Sequence, residues 1–208
     1  MLNAQQILQL LNNGDPISIN RVKDICKQEI IESTALQTGG KSLLQRTKAA
    51  QIFLARVPPA HIKACGARFQ EHDGVEFQMF NSSYAAFMLV DELDGLIQAT
   101  EEPHDVLWQF LNNSIDDRVE VKIDIKGIAA QIKLERAEGF PQRSSSKSVL
   151  RVPINIGKSC YNAEYLLECY EILGGNIKFY QREDNYRKPA ILVSENGKGL
   201  LMPVEPRQ

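Results

Sequence analysis

Apolar residues recur at helical spacing in several stretches of this chain and alternate with polar ones in others. Ile7, Leu8, Leu10 and Leu11 form a helical stripe that stops at Asn12-Asn13-Gly14-Asp15-Pro16. Residues 16–19 read as extended. A second helix is predicted over 20–33, with Asn20 as its N-cap and Val22, Ile25, Cys26 and Ile30 on one face. Gly39-Gly40 marks a loop, and residues 43–57 read as a helix ended by Pro58-Pro59. Residues 62–70 are expected to be extended, with 71–74 as a turn into alternating Val75, Phe77 and Met79. Residues 84–90 give a further strand.

The second half repeats this alternation. Pro103 suits the first turn of a helix carrying Val106, Leu107, Phe110 and Leu111. Val119, Val121, Ile123 and Ile125 alternate with Glu120, Lys122 and Asp124, which predicts a half-buried antiparallel strand over 119–125. Lys126-Gly127 reads as a turn leading into residues 130–134. A polar loop is expected at 139–148 and a strand at 149–156. A helix follows over 162–173, capped by Asn162 and terminated by Gly174. Strands over 177–180, 190–193 and 200–204 complete the pattern. Short links between strands favour antiparallel pairing, so the expected class is α+β, with helices on one face of curved sheets.

Charge and composition narrow the function classes. The chain has 208 residues and a net charge of −2, with 43% hydrophobic and 24% charged residues. That is ordinary globular composition and argues against a wholly basic nucleic-acid glove. Charge is nevertheless uneven. Residues 41–63 carry Lys41, Arg46, Lys48, Arg56 and Lys63 without an acid, whereas 91–105 are acidic. The four cysteines form no CxxC pair, so neither a zinc site nor any other metal is expected. No P-loop, GxSxG or HExxH string is present, and His61, His72 and His104 are scattered; no catalytic residue, enzyme activity or cofactor is expected. No apolar run approaches the ~20 residues of a membrane helix. The N-terminus lacks a signal-peptide pattern, so the expected location is the cytoplasm, with no membrane association.

Three strings near the C-terminal end carry a resemblance. Asn162-Ala163-Glu164-Tyr165-Leu166-Leu167 opens the last helix, Pro189-Ala190-Ile191-Leu192 lies in the second strand after it, and Leu201-Met202-Pro203-Val204 follows. In this order and spacing they resemble the last domain of the bacterial sliding clamp family, the beta subunit of DNA polymerase III. The stretch from Cys65 through Gly74 to Tyr84 looks like that family's hairpin and the turn after it. Residues 1–100 are then a helical segment plus a partial clamp-like unit, and 101–208 a C-terminal clamp-like domain. Equally, the whole is one unit with an inserted connector.

The resemblance implies a DNA-clamp-like fold and a non-catalytic tethering or processivity factor in replication or repair, working as a homo-oligomer. Double-stranded DNA would be held through phosphates, non-specifically. Candidate contacts are Arg21, Lys23 and Lys27 on the second helix, then Lys41, Arg46 and Lys48. It also implies an apolar groove at Leu200, Met202, Pro203 and Val204 for short linear peptides of replication proteins, since methionine repacks around varied ligands. The alternative is a clamp-like interaction module that binds such peptides, or mimics the clamp, without encircling DNA.

Overall fold

The computed structural model describes residues 43–72, 74–102, 115–137, 152–183 and 187–204. The helices expected within 7–33, the one at 103–111, the loop at 139–148, and Arg21, Lys23, Lys27 and Lys41 lie outside the described residues.

Helix α1 (Leu43–Ala55) turns its Arg46, Ala49, Ala50, Phe53 and Leu54 stripe inward. A short helix α2 (Ile62–Cys65) leads into strands β1 (Arg68–His72), β2 (Val75–Asn81) and β3 (Ala85–Leu89). Next come β4 (Val119–Val121), helix α3 (Ile125–Ala137) and the hairpin β5 (Pro153–Ile156) and β6 (Ser159–Asn162). The chain continues through helix α4 (Ala163–Leu173), β7 (Lys178–Gln181), β8 (Ala190–Ser194) and β9 (Gly197–Leu201).

Among the described residues seven strands form one sheet in the order β1-β2-β3-β9-β8-β7-β4, and every neighbouring pair is antiparallel. The architecture is α+β. The expected segments 1–100 and 101–208 share this sheet, because β3 pairs with β9 at its middle, Ala85 opposite Leu201 and Leu89 opposite Gly197. The arrangement repeats itself. α1 followed by β1-β2-β3 and α4 followed by β7-β8-β9 are two helix–strand–strand–strand units, and their third strands meet at the centre. α1 and α4 run antiparallel on one face. Arg46 at the start of α1 reaches Ile172 at the end of α4, while Arg56 beyond the end of α1 pairs with Glu168 nearer the start of α4.

Strand alternation assigns the two sheet faces. Phe80, Phe87, Leu89, Leu192 and Leu201 point to the helices and join Phe53, Leu166, Ile172 and Leu173 in the main core. Phe53 sits edge-on to Phe80, Tyr84 and Phe87, at centroid distances of 5.9, 5.6 and 5.2 Å, a geometry that aromatic quadrupoles favour. The opposite face carries a smaller buried cluster of Met79, Ala86, Met88 and Leu200. Glycine is required where the halves meet. Gly197 has φ 143°, and a Cβ there would lie 2.2 Å from the Met88 carbonyl oxygen.

The structure redraws several expected elements. The strand over 119–125 ends at Val121, and the turn at Lys126-Gly127 and the extended run at 130–134 are both inside α3. Asp124 decides this: its Oδ1 accepts the Gly127 N–H at 3.0 Å, as an N-cap does. Ile125, Ile128 and Ile132 then fall at helical spacing, with Ile132 buried. Residues 62–65 are helical where an extended run is expected. The strand over 149–156 appears within the described residues as β5, and β6 is an additional strand, reached through Gly157 at φ 60°. The final strand is Gly197–Leu201, not 200–204. Pro203 has no N–H for the ladder, and Val204 turns away to donate its N–H to the Cys160 carbonyl at 2.8 Å.

Candidate functional site

The helix α4 forms as its sequence predicts. Asn162 Oδ1 accepts the Glu164 N–H at 3.2 Å and also the Val152 N–H at 3.4 Å, so one side chain caps the helix and holds β5 to it. Gly174, at φ 62°, closes the other end. Over this end lies Arg46, one of the expected DNA contacts. Its side chain is 3% exposed. Nε donates to the Ile172 carbonyl at 2.8 Å and Nη1 to Asp91 Oδ2 at 2.6 Å. Arg46 thus caps the carbonyl end of a neighbouring helix, where a cation is favoured, and is turned away from any external phosphate. Lys48, by contrast, is exposed on α1, close to Ile52 on the same face. On α4, antiparallel to α1, Glu168 is bound to Arg56, and Glu171 is exposed.

The expected peptide groove is divided. Leu200 is 6% exposed and fills the cluster on the sheet face opposite the helices. Met202 is 37% exposed, and its N–H bonds to the Tyr84 carbonyl at 2.9 Å. Pro203 and Val204 are half-buried.

Across Tyr84 from Met202 lies a cavity of about 330 Å³, a size typical of small ligand sites. Its floor is Phe53, Val57 and Pro58 from the end of α1 and the turn after it. Arg56, His61 and Cys65 form one side, and Asn81, Ser82, Ser83 and Tyr84 from the β2–β3 turn form the other. The hydrogen bonds hold this wall in place. Asn81 Nδ2 donates to Cys65 Sγ at 3.5 Å, and Ser82 Oγ accepts the Tyr84 and Ala85 N–H groups at 3.3 Å. Tyr84 stacks on Tyr165 of α4, with centroids 3.5 Å apart and rings 10° from parallel, and its hydroxyl donates to Glu168 Oε2 at 3.1 Å. The same carboxylate pairs with Arg56. The cavity wall is therefore tied to both units of the fold.

Burial sets the titration of two groups at this cavity. Burial pushes the Cys65 thiol up, against the lowering effects of the Asn81 bond and of Arg68. A thiol raised above its ordinary value stays protonated near neutral pH and is a poor nucleophile. Burial, and then the neighbouring Tyr165, pushes the Tyr84 phenol up as well. Among the described residues no group of three His, Cys, Asp or Glu side chains converges as a metal site, and no helix is long and apolar enough to cross a membrane. Tyr84, expected in a strand, lies in the turn before β3, and Ser82, Ser83 and His61 carry no expected site role. The Ser82-Ser83 pair between two apolar strands was the available signal of a turn with small, polar walls. Comparison with protein-family models, with curated proteins and with solved structures finds no match.

Proposed function

We propose that this chain is a non-catalytic, sliding-clamp-like module that tethers other macromolecules, and that it does so by docking short segments of replication or repair proteins. The observation that carries this reading is the pairing of two helix–strand–strand–strand units through β3 and β9, with α1 and α4 antiparallel on one face. Helices on one face of an antiparallel sheet are the coarse layout that the resemblance implies. The docking element is the cavity beside Tyr84, together with the exposed Met202 that is joined to Tyr84 through its backbone. It offers an apolar floor for an anchoring side chain and hydroxyl and amide groups for a peptide backbone.

A peptide array covering replication and repair proteins tests this. Wild-type protein is expected to mark discrete spots. Met202→Asp and Ser83→Trp, the latter filling the cavity from an exposed position, are expected to lose the same spots while keeping the wild-type circular dichroism spectrum. Unchanged spots with Ser83→Trp refute the cavity as the docking element.

A second reading, DNA tethering by an oligomer, is favoured by the exposed Lys48 on the helix pair. It expects binding to closed circular DNA that weakens steeply with salt and is reduced by Lys48→Glu. Equal behaviour of Lys48→Glu and wild type removes Lys48 from that reading.

A further inference from the structure

The two units differ at one corner, and the difference bears on what the cavity takes. In the second unit, the end of α4 is closed by the β8–β9 turn. Asn196 Nδ2 donates to the Leu173 carbonyl at 2.7 Å, and Glu195 Oε2 accepts the Asn176 N–H at 3.2 Å. The corresponding corner of the first unit, between the end of α1 and the β2–β3 turn, holds Ser82 and Ser83 where the second has Glu195 and Asn196. These shorter side chains leave the cavity open. The fold does not demand an empty corner; its own other half fills the equivalent place. The lining of the open corner carries a guanidinium and an imidazole, Arg56 and His61, and no carboxylate. Glu168 lies on α4 outside the lining, pairs with Arg56 and accepts from the Tyr84 hydroxyl. A guanidinium has five N–H donors in a planar fork, so a second carboxylate can share it.

Resting on the docking reading above, we infer that the cavity selects acidic protein segments: an apolar side chain against Phe53, Val57 and Pro58, followed directly by an aspartate or glutamate whose carboxylate accepts from Arg56 and faces His61. Glu168 then acts as an internal competitor that holds the guanidinium in position when no segment is bound. Binding of this kind is non-covalent and leaves Cys65 untouched.

The test uses the full chain and three fluorescein-labelled octapeptides in an anisotropy titration at low salt. The probes are Gly-Gly-Leu-Leu-Asp-Asp-Gly-Gly, the same peptide with both aspartates replaced by asparagine, and the same peptide with both leucines replaced by serine. The Leu-Leu-Asp-Asp probe is expected to bind at least about tenfold tighter than either of the others, the scale of one charge-assisted hydrogen bond. Arg56→Gln is expected to erase the advantage over the asparagine peptide. Glu168→Gln, which frees the guanidinium, is expected to tighten the acidic probe; this variant keeps the test decisive should Arg56→Gln fail to fold. Equal binding of the aspartate and asparagine peptides overturns the acid selectivity and leaves the docking reading standing. Equal binding of the serine peptide reduces the effect to surface charge and overturns the inference. No binding of either leucine peptide overturns the docking reading itself.

Discussion

Arg46 provides the sharpest test of how the two units are joined. It lies on the core stripe of α1 at 3% exposure and bonds to the carbonyl of Ile172 at 2.8 Å. A hydrogen bond from a charged donor contributes roughly 1.5–3 kcal/mol. The contact to Asp91 at 2.6 Å ends on a carboxylate that is 45% exposed, so it adds only about 0–1 kcal/mol. Opposing both is the cost of burying the guanidinium, whose Nη2 has no partner among the described residues. Arg46→Met keeps an apolar stem near Gly174 but strands the Ile172 carbonyl, and is expected to cost ~2 kcal/mol. Arg46→Ala also removes buried methylenes at about 0.8 kcal/mol each, for a total of ~3–5 kcal/mol. Asp91→Asn is expected to cost less than ~1 kcal/mol. Urea unfolding followed by far-ultraviolet circular dichroism, with the slope held common, reads all three. If Arg46→Met unfolds within ~0.5 kcal/mol of wild type, desolvation cancels the bond and the capping argument fails. A cost for Asp91→Asn equal to that of Arg46→Ala would move the effect to the ion pair.

Two further expectations follow from buried polar groups. Asn162→Ala removes the acceptor for both Glu164 and Val152 N–H groups, and is expected to cost ~1–2 kcal/mol in the same urea assay; a loss below ~0.3 kcal/mol contradicts the cap. Stability is also expected to fall in alkali. Burial pushes the Tyr170 phenol from 10.0 up to about 12 and raises the fully buried Cys169 thiol above 9.0. Both groups lose their proton more readily in the unfolded chain. Their contribution is therefore intact below the ordinary values and lost as pH rises through 9–10 toward the folded-state values. Urea midpoints at about pH 8, 10 and 11 that coincide would contradict it.

How much of this could be read from the residues differs from element to element. The α1 and α4 stripes, the β2 alternation and the Asn162 and Gly174 caps are local signals, written within a few residues of where they act. Residues after 121 satisfy two patterns: Val119, Val121, Ile123 and Ile125 fit a period of two, while Ile125, Ile128 and Ile132 fit a helical one. The Asp124 cap decides between them. The role of Arg46 had a signal too. It occupies the same face as Ala50 and Phe53, so spacing pointed it inward even as its charge suggested a phosphate contact.

The amino-acid order alone determined the helices with clear caps, the antiparallel character of the strands and the absence of recognised catalytic strings, because each depends on neighbours a few positions apart. Tertiary structure decided that β3 meets β9, that Leu200 and Met202 part company, and that Phe53, His61, Ser83 and Tyr84 enclose one cavity. Those outcomes depend on contacts between residues far apart in the chain, and on which of two faces each strand turns toward the helices. A pattern with period two specifies that there are two faces and leaves the choice between them to packing.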